Sequence, residues 1–281
     1  MKTRLVFIEG LPGSGKTILA KRLYDHLKSA DFKVSLYQEG DINPLSYLWQ
    51  VVLREDQLNH ILRMYPNMKE SILEHTQKVG KNHILAFTKV DVPKEYKNFF
   101  QTMQKYEVNK KPKEEFQSLY QSLYQSFPQN AQSKDETYLF ECTLLQNHVN
   151  QLFAVYGLED QEVIKHIGSL LDNLSDYHPI ILYIKQTNIP STLDRISKER
   201  ISPNKDMHSD WIDMAIQYTE QTVFGKKNSL KGRKLLLDYL RTRQCLEEKI
   251  LQELEVESHI VPLDEDYDLV YQNLLDILKR K

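Results

Sequence analysis

The stretch of sequence that decides the fold is Gly10-Leu11-Pro12-Gly13-Ser14-Gly15-Lys16-Thr17. It fits the pattern G-x-x-x-x-G-K-[ST], in which the backbone of a glycine-rich turn surrounds phosphate oxygens. Before it, residues 4–8 form an almost wholly apolar run typical of a strand buried on both faces. After it, leucines repeat at four-residue spacing from Leu19 to Leu27 and predict a helix. Strand, glycine loop (residues 10–17) and helix therefore follow in the order that this motif, the P-loop, requires.

The residue types in the glycine loop have chemical reasons. Glycines bring backbone N–H groups close to phosphate oxygens because no Cβ stands in the way. The start of the helix adds unpaired N–H donors and the positive end of the helix dipole. Lys16 is expected to reach the β- and γ-phosphates, and the Thr17 hydroxyl is expected to hold Mg²⁺. We therefore predict ATP and Mg²⁺ as cofactors, with all eight residues of the loop in the binding site.

Four later segments predict further strands, and long helical patterns separate them. These segments are residues 33–38, 138–140, 180–184 and 258–261. Such alternation implies parallel strands joined by right-handed crossovers, which predicts a three-layer α/β fold with a five-stranded sheet. Ligands of such folds bind beyond the carboxyl ends of the strands. Glu39, Asp41 and Glu141 follow predicted strands, so we expect them to lie at that edge with the glycine loop.

Residues 44–136 are too many for one crossover helix. We predict that they form a helical cap inserted into a single domain that spans residues 1–281. Within them, aromatic residues recur near one helix face from Phe116 to Phe127, and such a stripe is more often core than a platform for stacked bases. Residues 88–91, Thr-Lys-Val-Asp, fit the guanine-recognition pattern of GTPases, but the sequence has no D-x-x-G segment. We therefore attribute that match to chance and do not predict GTP specificity.

Three carboxylates are candidates for the chemistry. Asp41 is placed to accept a proton from an acceptor hydroxyl or to organise water on Mg²⁺, and Glu39 lies on the same side of an extended chain. Glu141 ends an apolar strand, the usual position of the second acidic group, which would make it a second Mg²⁺ residue. The alternative for Glu141 is a carboxylate that caps a helix or forms a salt bridge.

Two basic segments are candidates for contacts with phosphates or substrate. Residues 188–200 follow the fourth predicted strand and display Arg195, Lys198 and Arg200, which could form a lid over the transferred phosphoryl group. The alternative is a solvated helix whose acidic residues balance these charges. Residues 225–234 include Lys226 and Lys227. They could bind an anionic substrate, and the alternative is an exposed loop.

Composition excludes several classes of function. The 281 residues include 37 Lys and Arg against 39 Asp and Glu, a net charge of −2, so no global basic field favours nucleic acid. Two cysteines, Cys142 and Cys245, are too few for a disulfide framework, a zinc ribbon or an iron–sulfur site. The sequence has neither an apolar run of about 18 residues nor a signal-peptide pattern. We therefore expect a cytoplasmic protein with no membrane partner, as a monomer or a homodimer.

The order of these motifs resembles the thymidylate kinase and deoxynucleoside kinase branch of the P-loop kinases. More closely, four strings resemble a family of Gram-positive bacterial P-loop proteins called AAA family ATPases, and the resemblance covers nearly the whole chain. The strings are residues 8–17, Glu39-Gly40-Asp41, Phe140-Glu141-Cys142 with Leu145-Gln146-Asn147, and Gly225-Lys226-Lys227-Asn228.

The kinase resemblance implies the strand order 2-3-1-4-5. It also implies that Lys16 and Thr17 serve phosphate and Mg²⁺, that Asp41 or Glu39 is the base, and that Arg195 and Arg200 are lid arginines. Two features depart from the kinase pattern and weaken the case for a nucleoside acceptor: Cys142 stands where an arginine is usual, and the second strand lacks a Glu-Pro pair.

The remaining candidate positions are assigned to the acceptor. They are Glu39, Gln146, Asn147, Lys226 and Lys227. The predicted function is Mg²⁺- and ATP-dependent phosphoryl transfer to a hydroxyl or phosphate group of a small molecule. The alternative is a P-loop ATPase that uses hydrolysis as a switch in a protein complex. A protein that only binds nucleotide is less favoured, because Lys16 and Thr17 are both present.

Overall fold

The computed structural model describes residues 4–130, 135–203, 205, 209–263 and 266–279. Its strands are β1 (Arg4–Gly10), β2 (Val34–Tyr37), β3 (Val51–Leu53), β4 (Thr76–Val79), β5 (Asn82–Leu85), β6 (Thr137–Glu141), β7 (Ile180–Lys185) and β8 (Glu257–Pro262). Its α-helices are α1 (Lys16–Ser29), α2 (Glu55–Met64), α3 (Lys69–Glu74), α4 (Phe99–Gln104), α5 (Lys113–Asn130), α6 (Leu145–Val149), α7 (Asp160–Asp172), α8 (Ile189–Glu199), α9 (Trp211–Gln221), α10 (Val223–Lys227), α11 (Gly232–Glu253) and α12 (Tyr267–Lys279). All five strands predicted from the sequence are present.

Contacts along the chain define two compact units. One comprises residues 1–36 and 128–281, and the other comprises residues 37–127. The first contains the five-stranded parallel sheet, in the spatial order β2-β6-β1-β7-β8. The strands β3 to β5 lie between β2 and β6 in the chain but belong to the other unit. Counted within its own sheet, β6 is therefore the third strand, β7 the fourth and β8 the fifth.

Helices cover both faces of this sheet because its three central strands, β6, β1 and β7, are buried on both sides. On one face, Leu182 and Ile184 of β7 pack with α1 and α12 in one buried cluster. Tyr183, between them, points to the opposite face, where its hydroxyl donates to Glu247 of α11. The central strand β1 is buried from Leu5 to Gly10, as a parallel strand covered on both faces must be. The α/β class is thus confirmed.

Residues 44–136 are predicted to form a helical cap, but the unit of residues 37–127, which contains most of them, is not helical throughout. It contains a second sheet, in the order β3-β5-β4, with antiparallel pairing. β4 and β5 form a hairpin whose turn includes Gly80 with φ 57°. The helices of this unit bury apolar residues around Tyr65, Phe99 and Leu85. The aromatic stripe on α5 is core, as predicted, since its members from Phe116 to Phe127 are fully buried.

The length and apolar character of the described helices can be compared with those of a membrane span. None of the helices in the described part of the chain combines the length and apolar character that a membrane span needs. The longest, α11, carries Arg243, Gln244 and Glu247 among its buried residues.

Candidate functional site

The glycine loop connects the end of β1 to the start of α1 in a shape that requires glycine at specific positions. Gly13 has φ 85°, and a Cβ on it would lie 2.6 Å from Cγ2 of Ile196. Gly15 has φ 77° and caps α1, and a Cβ there would overlap the ring of Tyr267. A side chain at either position would therefore strain the backbone and collide with a packed neighbour.

Lys16 is folded over the loop and is not extended into solvent. Its side chain is buried, and Nζ donates to the Leu11 carbonyl at 2.9 Å and to Ser14 Oγ at 3.4 Å. The ammonium group thus lies above the backbone of the loop, held by neutral oxygens. An anionic oxygen bound in the loop would be a stronger acceptor than either of these groups. The position is therefore suited to a phosphate.

Thr17 and Glu141 are brought together by the pairing of β1 with β6. Ile8 is opposite Glu141 in this parallel pair, so the carboxylate reaches the edge where the glycine loop begins. Oγ1 of Thr17 donates to Oε1 of Glu141 at 2.7 Å. A hydroxyl and a carboxylate are hard oxygen donors of the kind that Mg²⁺ takes, usually with several waters. The two residues predicted to bind Mg²⁺ therefore fit that ion by chemistry and by proximity.

Glu9 has no role among those predicted from the sequence. It is fully buried at the end of β1, and its two oxygens accept backbone N–H bonds from Leu144 at 2.7 Å and Gln146 at 3.1 Å. Burial raises the pKa of Glu9 to about 7, against the lowering effect of the two hydrogen bonds and of Lys16. A signal existed in the sequence, since Glu9 is an acidic residue directly after a wholly apolar run.

Arg195 and Arg200, the two predicted lid arginines, lie in different environments. Nη2 of Arg195 donates to the Gly13 carbonyl at 2.8 Å, and Nη1 pairs with Glu199 at 3.1 Å. The structure therefore brings Arg195 to the glycine loop, on its carbonyl side. The guanidinium of Arg200, at the end of α8, lies 5.3 Å from the ring centroid of Trp211.

Asp41 and Glu39 belong to the unit of residues 37–127 and are described within it. One oxygen of Asp41 accepts the backbone N–H of Gln38 at 2.8 Å, and the other pairs with Nζ of Lys89 at 2.6 Å. Lys89 belongs to the Thr-Lys-Val-Asp segment whose match to a GTPase motif we attributed to chance. Glu39 accepts a hydrogen bond from the indole of Trp49 at 2.8 Å.

The other candidate substrate residues lie on short helices. Gln146 and Asn147 are in α6, which follows β6, and Asn147 is buried. Lys226 and Lys227 are exposed in the last turn of α10, where Thr222 caps the helix by accepting the N–H of Gly225 at 3.0 Å. The second basic segment is therefore partly helical, and its two lysines remain candidates for an anionic substrate.

A buried polar cluster on α11 lies against the sheet. Nε of Arg243 donates to Glu247 at 2.7 Å, and the Tyr183 hydroxyl donates to the other oxygen of Glu247 at 2.6 Å. Burial and then the Glu247 charge raise the pKa of Tyr183 well above its usual value. Burial by itself would lower the pKa of Arg243, but Glu247 outweighs it and keeps the guanidinium charged. The cluster therefore holds a charged guanidinium inside the fold, hydrogen-bonded to Glu247.

No protein-family model matches the chain. The site is therefore defined by its own residues: a glycine loop between β1 and α1, a lysine folded over it, and a hydroxyl hydrogen-bonded to a buried carboxylate. Such a set of groups can bind a polyphosphate and hold a divalent cation beside it.

Proposed function

We propose that the chain binds ATP and Mg²⁺ at the glycine loop, which acts as a P-loop, and transfers the γ-phosphoryl group to a small-molecule acceptor. The hydrogen bond between Thr17 and Glu141 is the observation that carries this proposal. It joins the two predicted Mg²⁺ residues beside the start of α1, and Lys16 lies over the same loop.

The position of the loop in the sheet supports the proposal. β1 is the central strand, with β6 on one side and β7 on the other. Ligands of open α/β sheets bind in a crevice at the carboxyl ends of the strands. This crevice forms where the chain connections of two neighbouring strands run in opposite directions along the sheet. The observed order β2-β6-β1-β7-β8 is not the 2-3-1-4-5 that the kinase resemblance implies, because the strands β3 to β5 of the other unit come between β2 and β6 in the chain.

In this proposal each group of the chain has a separate task. Backbone N–H groups of the loop and the start of α1 bind the phosphate oxygens. Lys16 exchanges the Leu11 carbonyl for a phosphate oxygen, and Thr17 and Glu141 hold Mg²⁺, which supplies charge neutralisation when bound. Arg195 leaves the Gly13 carbonyl and turns toward the transferred group, where negative charge develops.

Two carboxyl groups are candidates for the base that accepts a proton from the acceptor. The kinase resemblance implies Asp41 or Glu39. Asp41 pairs with Nζ of Lys89 at 2.6 Å, and Glu39 accepts a hydrogen bond from the indole of Trp49 at 2.8 Å.

Calorimetric titration with Mg·ATP tests the binding step. Wild type should bind, Lys16→Ala should bind at least about tenfold more weakly because a charge-assisted bond to phosphate is lost, and Lys21→Ala should match wild type. Lys21 is an exposed lysine on the same helix, so it controls for the loss of one positive charge. Failure of wild type to bind Mg·ATP would overturn the proposal.

The transfer step needs a separate measurement. ADP formation is followed with a panel of nucleosides, nucleotides and aminoglycosides, each against a control with water alone. Under the proposal, at least one acceptor raises ADP formation above that background. Equal ADP formation in every case, accompanied by release of inorganic phosphate, would favour the hydrolytic switch.

A further inference from the structure

Gln186, the first residue after β7, links two distant parts of the structure. Its side chain is buried, and Nε2 donates to the Pro12 carbonyl of the glycine loop at 2.6 Å. Its backbone is held in turn by Gln244 of α11, which accepts the N–H of Gln186 at 3.2 Å and donates to its carbonyl at 3.2 Å. The amide of Gln244 thus pairs with Gln186 as a neighbouring strand would.

Holding the Pro12 carbonyl fixes the direction of the next N–H group. The peptide bond between Pro12 and Gly13 is trans, and in a planar trans peptide the C=O and the N–H point in opposite directions. With the carbonyl directed at Gln186, the N–H of Gly13 points to the other side of the loop. Pro12 has no N–H of its own, so the carbonyl is its one backbone hydrogen-bonding group.

Arg195 holds the next carbonyl, at Gly13, but by a different kind of contact. Its side chain is 43% exposed and also pairs with Glu199. A long, exposed side chain can leave the loop when charge appears elsewhere in the site. Gln186 has a shorter side chain that is neutral and buried, and Gln244 holds both the N–H and the carbonyl of its backbone. Of the two contacts, only that of Gln186 is suited to keep the loop in one shape throughout a reaction.

We propose that Gln186 is a positioning residue that presents the Gly13 N–H to a bound polyphosphate, and that Gln244 keeps Gln186 in place. This inference rests on the proposed function, because it assumes that phosphates occupy the glycine loop. It adds that the donor array of the loop is set from β7 and α11, outside the motif itself. The same contact should therefore matter for any ligand with a polyphosphate group.

Two substitutions at Gln186 separate positioning from packing. Gln186→Glu has nearly the same shape, but when ionised it presents an oxygen that repels the Pro12 carbonyl. At about pH 8.5 we expect it to weaken binding of Mg·ATP and of inorganic tripolyphosphate by about tenfold or more. At about pH 6 the protonated carboxyl can donate to Pro12, so the difference from wild type should shrink. Gln186→Leu should be weak at both pH values.

Control variants and the unmodified protein keep the outcomes distinct. Gln217→Glu makes the same chemical change at an exposed position on α9 and should bind as wild type does at both pH values. Gln244→Leu should weaken tripolyphosphate binding in the same direction as Gln186→Leu, and it provides a second route if the latter does not fold. Tripolyphosphate contains no nucleoside, so its binding reports on the loop alone.

Each result has one meaning. Binding of Mg·ATP and tripolyphosphate by Gln186→Glu that equals wild type at about pH 8.5 would overturn the positioning role and leave the proposed function intact. Binding of tripolyphosphate but not Mg·ATP by wild type would overturn the proposed function, while the Gln186 variants would still test positioning. Loss of binding that is the same at both pH values for Gln186→Glu would mean that Gln186 acts through packing only, against the proposal.

Discussion

Thr17 and Glu141 are 124 residues apart in the sequence, yet the hydroxyl of one donates to the carboxylate of the other at 2.7 Å. The pairing of β1 with β6 accounts for this contact, because it places Ile8 opposite Glu141 and so brings both side chains to one edge of the sheet. Glu141 is buried whereas Thr17 is exposed. A cation that bound between the two side chains in place of the hydrogen bond would therefore enter from the solvent on the side of Thr17.

Glu141→Gln is expected to lower turnover by about 100-fold or more with little change in melting temperature. The amide oxygen can still accept from Thr17, but it carries no charge and is a poorer Mg²⁺ ligand. The variant should also need a higher Mg²⁺ concentration for half-maximal rate. Initial rates over a Mg²⁺ series check this, with exposed Glu255→Gln as the control. Normal turnover with a lower melting temperature would assign Glu141 a structural role.

Arg195→Ala should reduce turnover more than it reduces affinity for Mg·ATP, because its charge is needed where transition-state charge develops. Arg195→Lys should restore activity only in part, since the bidentate fork is lost. Arg200→Ala, which removes the contact with Trp211, should have a smaller effect on turnover. Steady-state kinetics beside calorimetric Kd values would measure both. An equal loss of turnover and affinity in Arg195→Ala would contradict the expectation.

Acid should destabilise the protein through two buried histidines. The rings of His148 and His166 lie 5.2 Å apart, and burial lowers the pKa of His166 to about 4 and that of His148 well below its usual value. A lowered folded-state pKa means that the stabilisation is complete above about pH 6.5 and is lost as the pH falls toward 4. For His166 the loss is on the order of 3 kcal/mol.

Urea unfolding of wild type and His166→Phe at several pH values checks this prediction. The variant should lose less stability than wild type between about pH 6.5 and 4, because one of the two protonations is removed. His60→Gln, at an exposed site, should follow wild type. Glu9 acts in the opposite direction, because burial raises its pKa to about 7. Its contribution to the free energy of unfolding is present below pH 4.5 and is lost as the pH rises through about 7. If the free energy of unfolding falls equally with pH in wild type and in His166→Phe, the acid sensitivity does not come from His166.

The losses of unfolding free energy caused by replacing Arg243 and by replacing Glu247 should not be additive, because the two side chains form a buried ion pair. Arg243→Met leaves Glu247, which is fully buried, without its counter-charge and is expected to cost about 3–5 kcal/mol. Adding Glu247→Gln removes the orphaned charge while keeping an acceptor for Tyr183, so the double variant should be more stable than Arg243→Met. Urea unfolding of both single variants and the double variant completes the cycle. Additive losses would show that the two charges do not interact.

The main sheet could be predicted because its strands are apolar runs with clear limits, and the glycine loop could be predicted because its motif is specific. The strands β3 to β5 have only three or four residues each, too few for a periodic pattern to emerge. Gly80 lies in the turn between β4 and β5, but one glycine between helical patterns does not identify a hairpin. The sequence therefore predicts a helical cap here.

Within the site, side chains that depend on tertiary packing could not be predicted. Gln186 and Gln244 are neutral amides whose importance comes from the approach of α11 to the end of β7, 58 residues apart in the chain. No local pattern distinguishes them from surface glutamines. Glu141 was predictable because a carboxylate at the end of a buried strand is unusual. The separation of Arg195 from Arg200 follows from the end of α8, which leaves Arg200 at its cap.

The contact between Gly15 and Tyr267 sets an order of events during protein synthesis. The glycine loop leaves the ribosome well before the ring that packs on Gly15, because Tyr267 is made about 250 residues later. β1 also waits for β6 and β7, the strands that pair with it on both sides. Contacts so distant in sequence form slowly and late. A growing chain would therefore carry the complete loop sequence long before it has the loop's shape, and any ligand that requires that shape could stabilise only the finished fold.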